Sequence, residues 1–162
     1  MDFRTIIEIE RPDFDINYNS KCIFVGSCFA ENIGSKLRRT KISASVNPTG
    51  ILYNPLSIEK SIKNALNDKV YGQSDLFFAN SLWNCYDFHS KFSGQNVDEC
   101  LRGINEANSR FNEDLLTADY IFVTFGTAFV YQLAENNNIV CNCHKQPESI
   151  FSRRLLKVSE IV

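Results

Sequence analysis

The sequence predicts an α/β fold built on an open parallel sheet, and three observations carry that prediction. Cys22-Ile23-Phe24-Val25 is a wholly apolar run that stops at Gly26, the pattern of a strand buried on both faces. Residues 28–39 follow with helical period, Phe29, Ile33 and Leu37 on one side and Glu31, Asn32, Lys36 and Arg38 on the other. Tyr120-Ile121-Phe122-Val123-Thr124-Phe125 repeats the buried-strand run and also ends at a glycine, Gly126. Strand, glycine turn and helix make the first half of a β-α-β unit. Residues 22–25 and 120–125 are therefore expected as neighbouring parallel strands in the middle of the sheet.

The remaining elements follow in order. Residues 3–9 alternate well enough for an edge strand, which Pro12 ends. Beyond the first helix, whose end carries Lys36, Arg38, Arg39 and Lys41 to complement its dipole, residues 42–46 read as a short strand. Asn47-Pro48-Thr49-Gly50 is turn chemistry, and Pro55 opens a helix bearing Leu56, Ile58, Ile62 and Leu66. Residues 75–94 are rich in aromatics (Phe77, Phe78, Trp83, Tyr86, Phe88, Phe92) and read as a hairpin or an irregular insertion that closes a core. Helical period returns over 97–116 through Val97, Leu101, Ile104, Asn108, Phe111 and Leu115. From Phe129 the chain reads as a hairpin, out through Leu133, turning at Asn136 to Asn138 and returning through Ile139-Val140-Cys141. On that strand Cys141 and Cys143 would share a buried face. Ser159 before Glu160 reads as the N-cap of a helix without a body, so residues 1–162 are expected to be one domain, incomplete at its C-terminus.

Composition bounds the function. The chain has 162 residues, 44% hydrophobic and 22% charged, the balance of a globular domain. No apolar run approaches the ~20 residues of a membrane span. Nineteen acidic against seventeen basic residues leave a net charge of -2, which favours no nucleic acid. A small or neutral partner fits as well as any other. The N-terminal residues MDFRTIIEIERPDFD lack the apolar core of a signal peptide, so the six cysteines read as reduced thiols in a cytoplasmic protein.

Gly26-Ser27-Cys28-Phe29-Ala30 sets two nucleophile types on a strand-to-helix turn. The unpaired amides of a first helical turn point at whatever sits there and stabilise a thiolate or an oxyanion. A serine there also needs an adjacent base. The plainer alternative makes Ser27 an N-cap and Cys28 a small buried apolar residue. Cys141-x-Cys143-His144 holds zinc-ligand types without the second ligand pair a structural site uses, so no metal and no cofactor are expected.

Five segments in order, Gly26 to Ala30, Asn47 to Pro55, His89 to Ser93, Phe125 to Tyr131 and Asn142 to Pro147, resemble the GSCFA family, which is placed among the SGNH or GDSL-like hydrolases. The resemblance implies a flavodoxin-like three-layer α/β/α sandwich and hydrolysis or transfer of an acyl ester on a small-molecule, carbohydrate or lipid-like substrate. By chemical type the nucleophile is Ser27; by register with the superfamily's Gly-Asp-Ser it is Cys28. Gly50 suits an oxyanion donor, and Gly126 and Thr127 stand where the superfamily has an Asn. Of the two histidines, His89 reads as a core or surface residue and His144, inside a family segment, as the candidate catalytic histidine. The superfamily's own His comes from a late Asp-x-x-His motif, expected past Val162. The alternative is a non-catalytic carbohydrate-binding or assembly domain that keeps the fold. An incomplete sheet would leave an edge through which the chain self-associates.

Overall fold

A computed structural model describes residues 7, 8, 10 and 12–162. Its elements in chain order are β1 (Lys21–Gly26), α1 (Cys28–Arg39), β2 (Ser43–Val46), α2 (Pro55–Leu66), β3 (Phe77–Ala79), β4 (Leu82–Asn84), α3 (Val97–Thr117), β5 (Tyr120–Thr124), β6 (Phe129–Leu133), β7 (Ile139–Val140) and β8 (Phe151–Leu155). β1 is the middle strand of a parallel sheet of order β2-β1-β5, with Cys22 opposite Ala44 on one side and Tyr120 on the other. The two apolar runs are thus parallel neighbours, as expected of an α/β fold. The strand expected over 3–9 falls mostly outside the described residues.

Alternation along β1 sets the layers, because successive side chains point to opposite faces. Ile23 and Val25 pack with Leu52, Ile58, Ala65 and Phe111 under α2 and α3, and Cys22 and Phe24 pack with Ala30, Ile33 and Leu37 under α1. Each helix starts on a side-chain cap: Ser27 for α1, Asn54 before Pro55 for α2, and Asn96 for α3. Among the described residues, no helix is long and apolar enough to cross a membrane.

The aromatic middle resolves into a hairpin and a second core. β3 and β4 pair antiparallel through a two-residue loop, Asn80 and Ser81, both at positive φ as a type I′ turn requires. Tyr71, Cys85 and Phe88 then bury against Ile104 and Ala107 of α3. Asp87 ties this core to α2. Its carboxylate pairs with Lys60 at 2.6 Å and accepts from Asn64 and Tyr71, with Lys69 at 3.6 Å.

Three expectations are corrected, and one element is new. β5 is not buried on both faces in the middle of the sheet: among the described residues it is an edge strand, and Ile121 and Val123 are 48% and 42% exposed, with an open groove between α2 and Val123. β7 ends at Val140, since the amides of Cys141 and Asn142 turn away to Tyr86 O, so Cys141 and Cys143 share no strand face and are each half-buried. Ser159 caps no helix. It lies inside a single 3-10 turn, Val158–Glu160, where the Glu160 carboxylate accepts the Lys157 amide and pairs with Arg154. Residues 151–155, which carry no clear pattern in sequence, form β8 by pairing with β6.

Candidate active site

The site grows out of the carboxyl end of β1, the edge where ligands bind in open α/β sheets. Gly26 has φ +138°, and a Cβ there would stand 2.1 Å from Thr124 O, so only glycine lets β1 turn this tightly beside β5. The turn delivers Ser27 to the N-cap of α1 and Cys28 to its first residue. Ser27 is 7% exposed and occupied: its Oγ accepts the Phe29 amide at 3.3 Å and shares a hydrogen bond with Thr124 Oγ1 at 3.1 Å. Cys28 is exposed. Its own amide belongs to the first helical turn, whose N–H groups no intrahelical carbonyl reaches.

Asn47, read in sequence only as part of a turn, is the hub of the rim. Its side chain is buried; Oδ1 accepts the Gly26 amide at 2.9 Å and Nδ2 donates to Glu31 Oε2 at 2.9 Å. Its φ of +42° is one that Asn tolerates better than most residues, and that preference is the signal that marks it in sequence. From Asn47 the chain crosses the end of β1, where the Leu52 amide donates to Gly26 O.

The expected oxyanion residues are distributed as follows. Gly126 lies directly on Ser27: a Cβ on it would meet Ser27 Cβ at 3.3 Å and the Tyr53 ring at 2.9 Å. The Gly126 and Thr127 amides both donate to Tyr53 O, at 2.7 and 3.1 Å, and Thr127 Oγ1 accepts the Phe129 amide. Gly50 is buried within the same crossing loop, its amide donating to Asn47 O at 2.8 Å. The loop between β2 and α2 and the loop after β5 thus meet at the Ser27–Cys28 turn.

The two histidines sit in different surroundings. His89 is packed on Gly50, where a Cβ would clash with its own, and donates its amide to Thr49 O. Its Nδ1 accepts the Lys91 amide at 3.1 Å, which assigns the neutral ring's proton to Nε2. Burial first, then the Lys91 charge, hold its pKa below the ordinary histidine value, against a smaller opposing pull from Glu31. His144 is 6% exposed in the second core, its Nε2 within 2.8 Å of Cys85 O and its Nδ1 without a partner. Burial likewise depresses its pKa. Among the described residues no hydrogen bond joins either histidine to Ser27 or Cys28.

Fold and turn together define an α/β protein with an exposed thiol at a helix N-terminus, set at the carboxyl edge of a parallel sheet. The GSCFA family model matches residues 21–162, and the chain belongs to that family. No curated protein and no solved structure matches it.

Proposed function

We propose that the protein acts as an SGNH-like acyl-ester hydrolase or acyl transferase with Cys28 as its nucleophile. One observation carries this reading: Cys28 is exposed as the first residue of a 12-residue helix, while the neighbouring Ser27 hydroxyl is held by Phe29 N–H and Thr124. A thiol also depends less than a serine hydroxyl on a base at hand. Cys28 gives its thiol proton to solvent, Sγ attacks the ester carbonyl, the carbonyl oxygen becomes the tetrahedral oxyanion, and its collapse forms the thioester and expels the alkoxide, which takes a proton from water to leave as the alcohol. A second alcohol or water then cleaves the thioester and regenerates the thiol.

The Cys28 amide and the Thr127 hydroxyl, whose hydrogen is left to donate, are the oxyanion donors in this reading. Gly126 and Gly50 join them when their amides leave Tyr53 O and Asn47 O. His144 serves the site from behind by holding the Cys85 carbonyl, four residues before the His89 that abuts Gly50. The substrate is a small-molecule, carbohydrate-linked or lipid-linked ester, and a reducing cytoplasmic compartment suits a chain with six free thiols.

The test is acylation of the full chain by p-nitrophenyl acetate, with the modified residue located by mass spectrometry. Acyl on Cys28, lost in Cys28→Ala and retained in Ser27→Ala, is the expected result. Cys28 reacting no faster than a free cysteine model would instead favour the non-catalytic binding or assembly domain.

A further inference from the structure

A cavity of about 200 Å³ lies between α1 and β5. It follows the α1 face carrying Phe29, Ile33 and Leu37, over a floor of Phe24 and Phe122, and Thr124 is the one polar side chain in its lining. The eight steps from Phe29 to Leu37 advance about 12 Å along the helix. Two lining residues, Thr124 and Phe29, are those hydrogen-bonded to the Ser27 side chain, so one end of the cavity reaches the residues that hold Ser27, the residue before Cys28.

We propose that this groove seats the acyl chain of the substrate, a straight aliphatic chain of about eight carbons, given that a cavity of about 150 Å³ holds benzene. The inference rests on the reading of Cys28 as nucleophile. A sugar in the groove would leave its hydroxyls without partners, whereas an alkyl chain has none to satisfy. A helix from another protein, about 10–12 Å across, is too wide for it. The larger groove on the opposite face of β5 carries Glu59, Lys63 and Glu160 and includes neither Thr124 nor Phe29.

Acylation of the full chain by p-nitrophenyl acetate, hexanoate and octanoate tests the proposal. In each case the thiol of Cys28 loses its proton to solvent, its sulfur bonds the acyl carbon and nitrophenolate leaves. Each buried methylene is worth about fourfold, so octanoate is expected to react at least about tenfold faster than acetate. Ile33→Trp, which fills the groove, erases that advantage. In parallel, octanoate displaces a fluorescent fatty acid from Cys28→Ala and acetate does not. Equal rates for acetate and octanoate without displacement overturn the groove and leave the Cys28 chemistry standing. Displacement with no acylation by any ester keeps the groove and overturns the nucleophile. A dimer in sedimentation that Ile33→Trp dissolves and octanoate does not compete with gives the groove to a second copy and overturns the proposal.

Discussion

Ser27 and Cys28 are adjacent in sequence and opposite in circumstance. Ser27 does structural work: its Oγ caps α1, and its amide lies within reach of both Thr124 O and Thr124 Oγ1. Ser27→Ala should cost about 1 kcal/mol, the ordinary value of a helix N-cap, read as a lower urea midpoint at unchanged m-value. His144 titrates the fold. Burial holds its pKa below the unfolded value of ~6.5, so the unfolded chain takes up the proton first as the pH falls. The stabilisation is fully present above ~6.5 and declines from there down to the depressed folded pKa. Urea midpoints at pH 7.5 and 5.0 should therefore fall more steeply for the native protein than for His144→Gln; equal slopes would remove His144 from the pH response. Burial raises the pKa of Cys22, Cys85, Cys100, Cys141 and Cys143 above the ordinary thiol value, Cys85 to about 12 with the Asp87 charge adding to it.

At the scale of elements, two junctions decide whether the site exists. The first is the turn from β1 into α1. Gly26→Ala would drive a Cβ into the backbone of β5 at a φ that L residues avoid, an expected loss of about 3 kcal/mol by chemical denaturation. A cost near that of an exposed helix Gly→Ala change would mean that β5 yields at that point. The second junction is Asp87, which holds the second core to α2 through Lys60 and Asn64 and also carries Tyr71 and Lys69. Asp87→Ala removes the partner of half-buried Lys60, which keeps only its bond to Ile139 O, and leaves Asn64 and Tyr71 without their acceptor; it should cost about 2 kcal/mol. The neighbouring residue 88 packs into the same core and residue 89 supports Gly50, so this variant should also slow acylation of Cys28.

At the scale of the whole molecule, β5 is the last strand on its side of the sheet among the described residues. From Tyr120 to Phe125 that strand has no charge, no proline and no bulge, the devices that usually keep a sheet edge from pairing with another chain. Exposed Ile121, Val123 and Phe125 line one side of it. Concentration-dependent self-association is expected in sedimentation velocity, and Val123→Lys should suppress it while preserving the far-UV circular dichroism. A native chain that stays monomeric at high concentration would show that the open edge is tolerated.

Local patterns determined much of this protein. The apolar run before Gly26, the 3.6-residue period of residues 28–39 and the proline opening α2 are short-range signals, and β1, α1 and α2 appear where those signals place them. The Gly-Ser-Cys turn was legible for the same reason, since its geometry is local. What faces that turn was not. Asn47, Thr124, Tyr53 and His89 reach the rim through contacts spanning tens of residues, and no local periodicity encodes such pairs. The same limit misjudged β5. An unbroken apolar run records that side chains are apolar, and whether both faces are covered depends on which elements pack over them. Likewise a Ser-Glu pair signals a helix start only if further turns follow, and a cysteine's burial depends on where its strand stops. The Phe29 amide that Ser27 caps is local, but only the tertiary structure decided that the Ser27 hydroxyl is also held from β5 while Cys28 stays exposed, because that second partner, the Thr124 hydroxyl, is some hundred residues away along the chain.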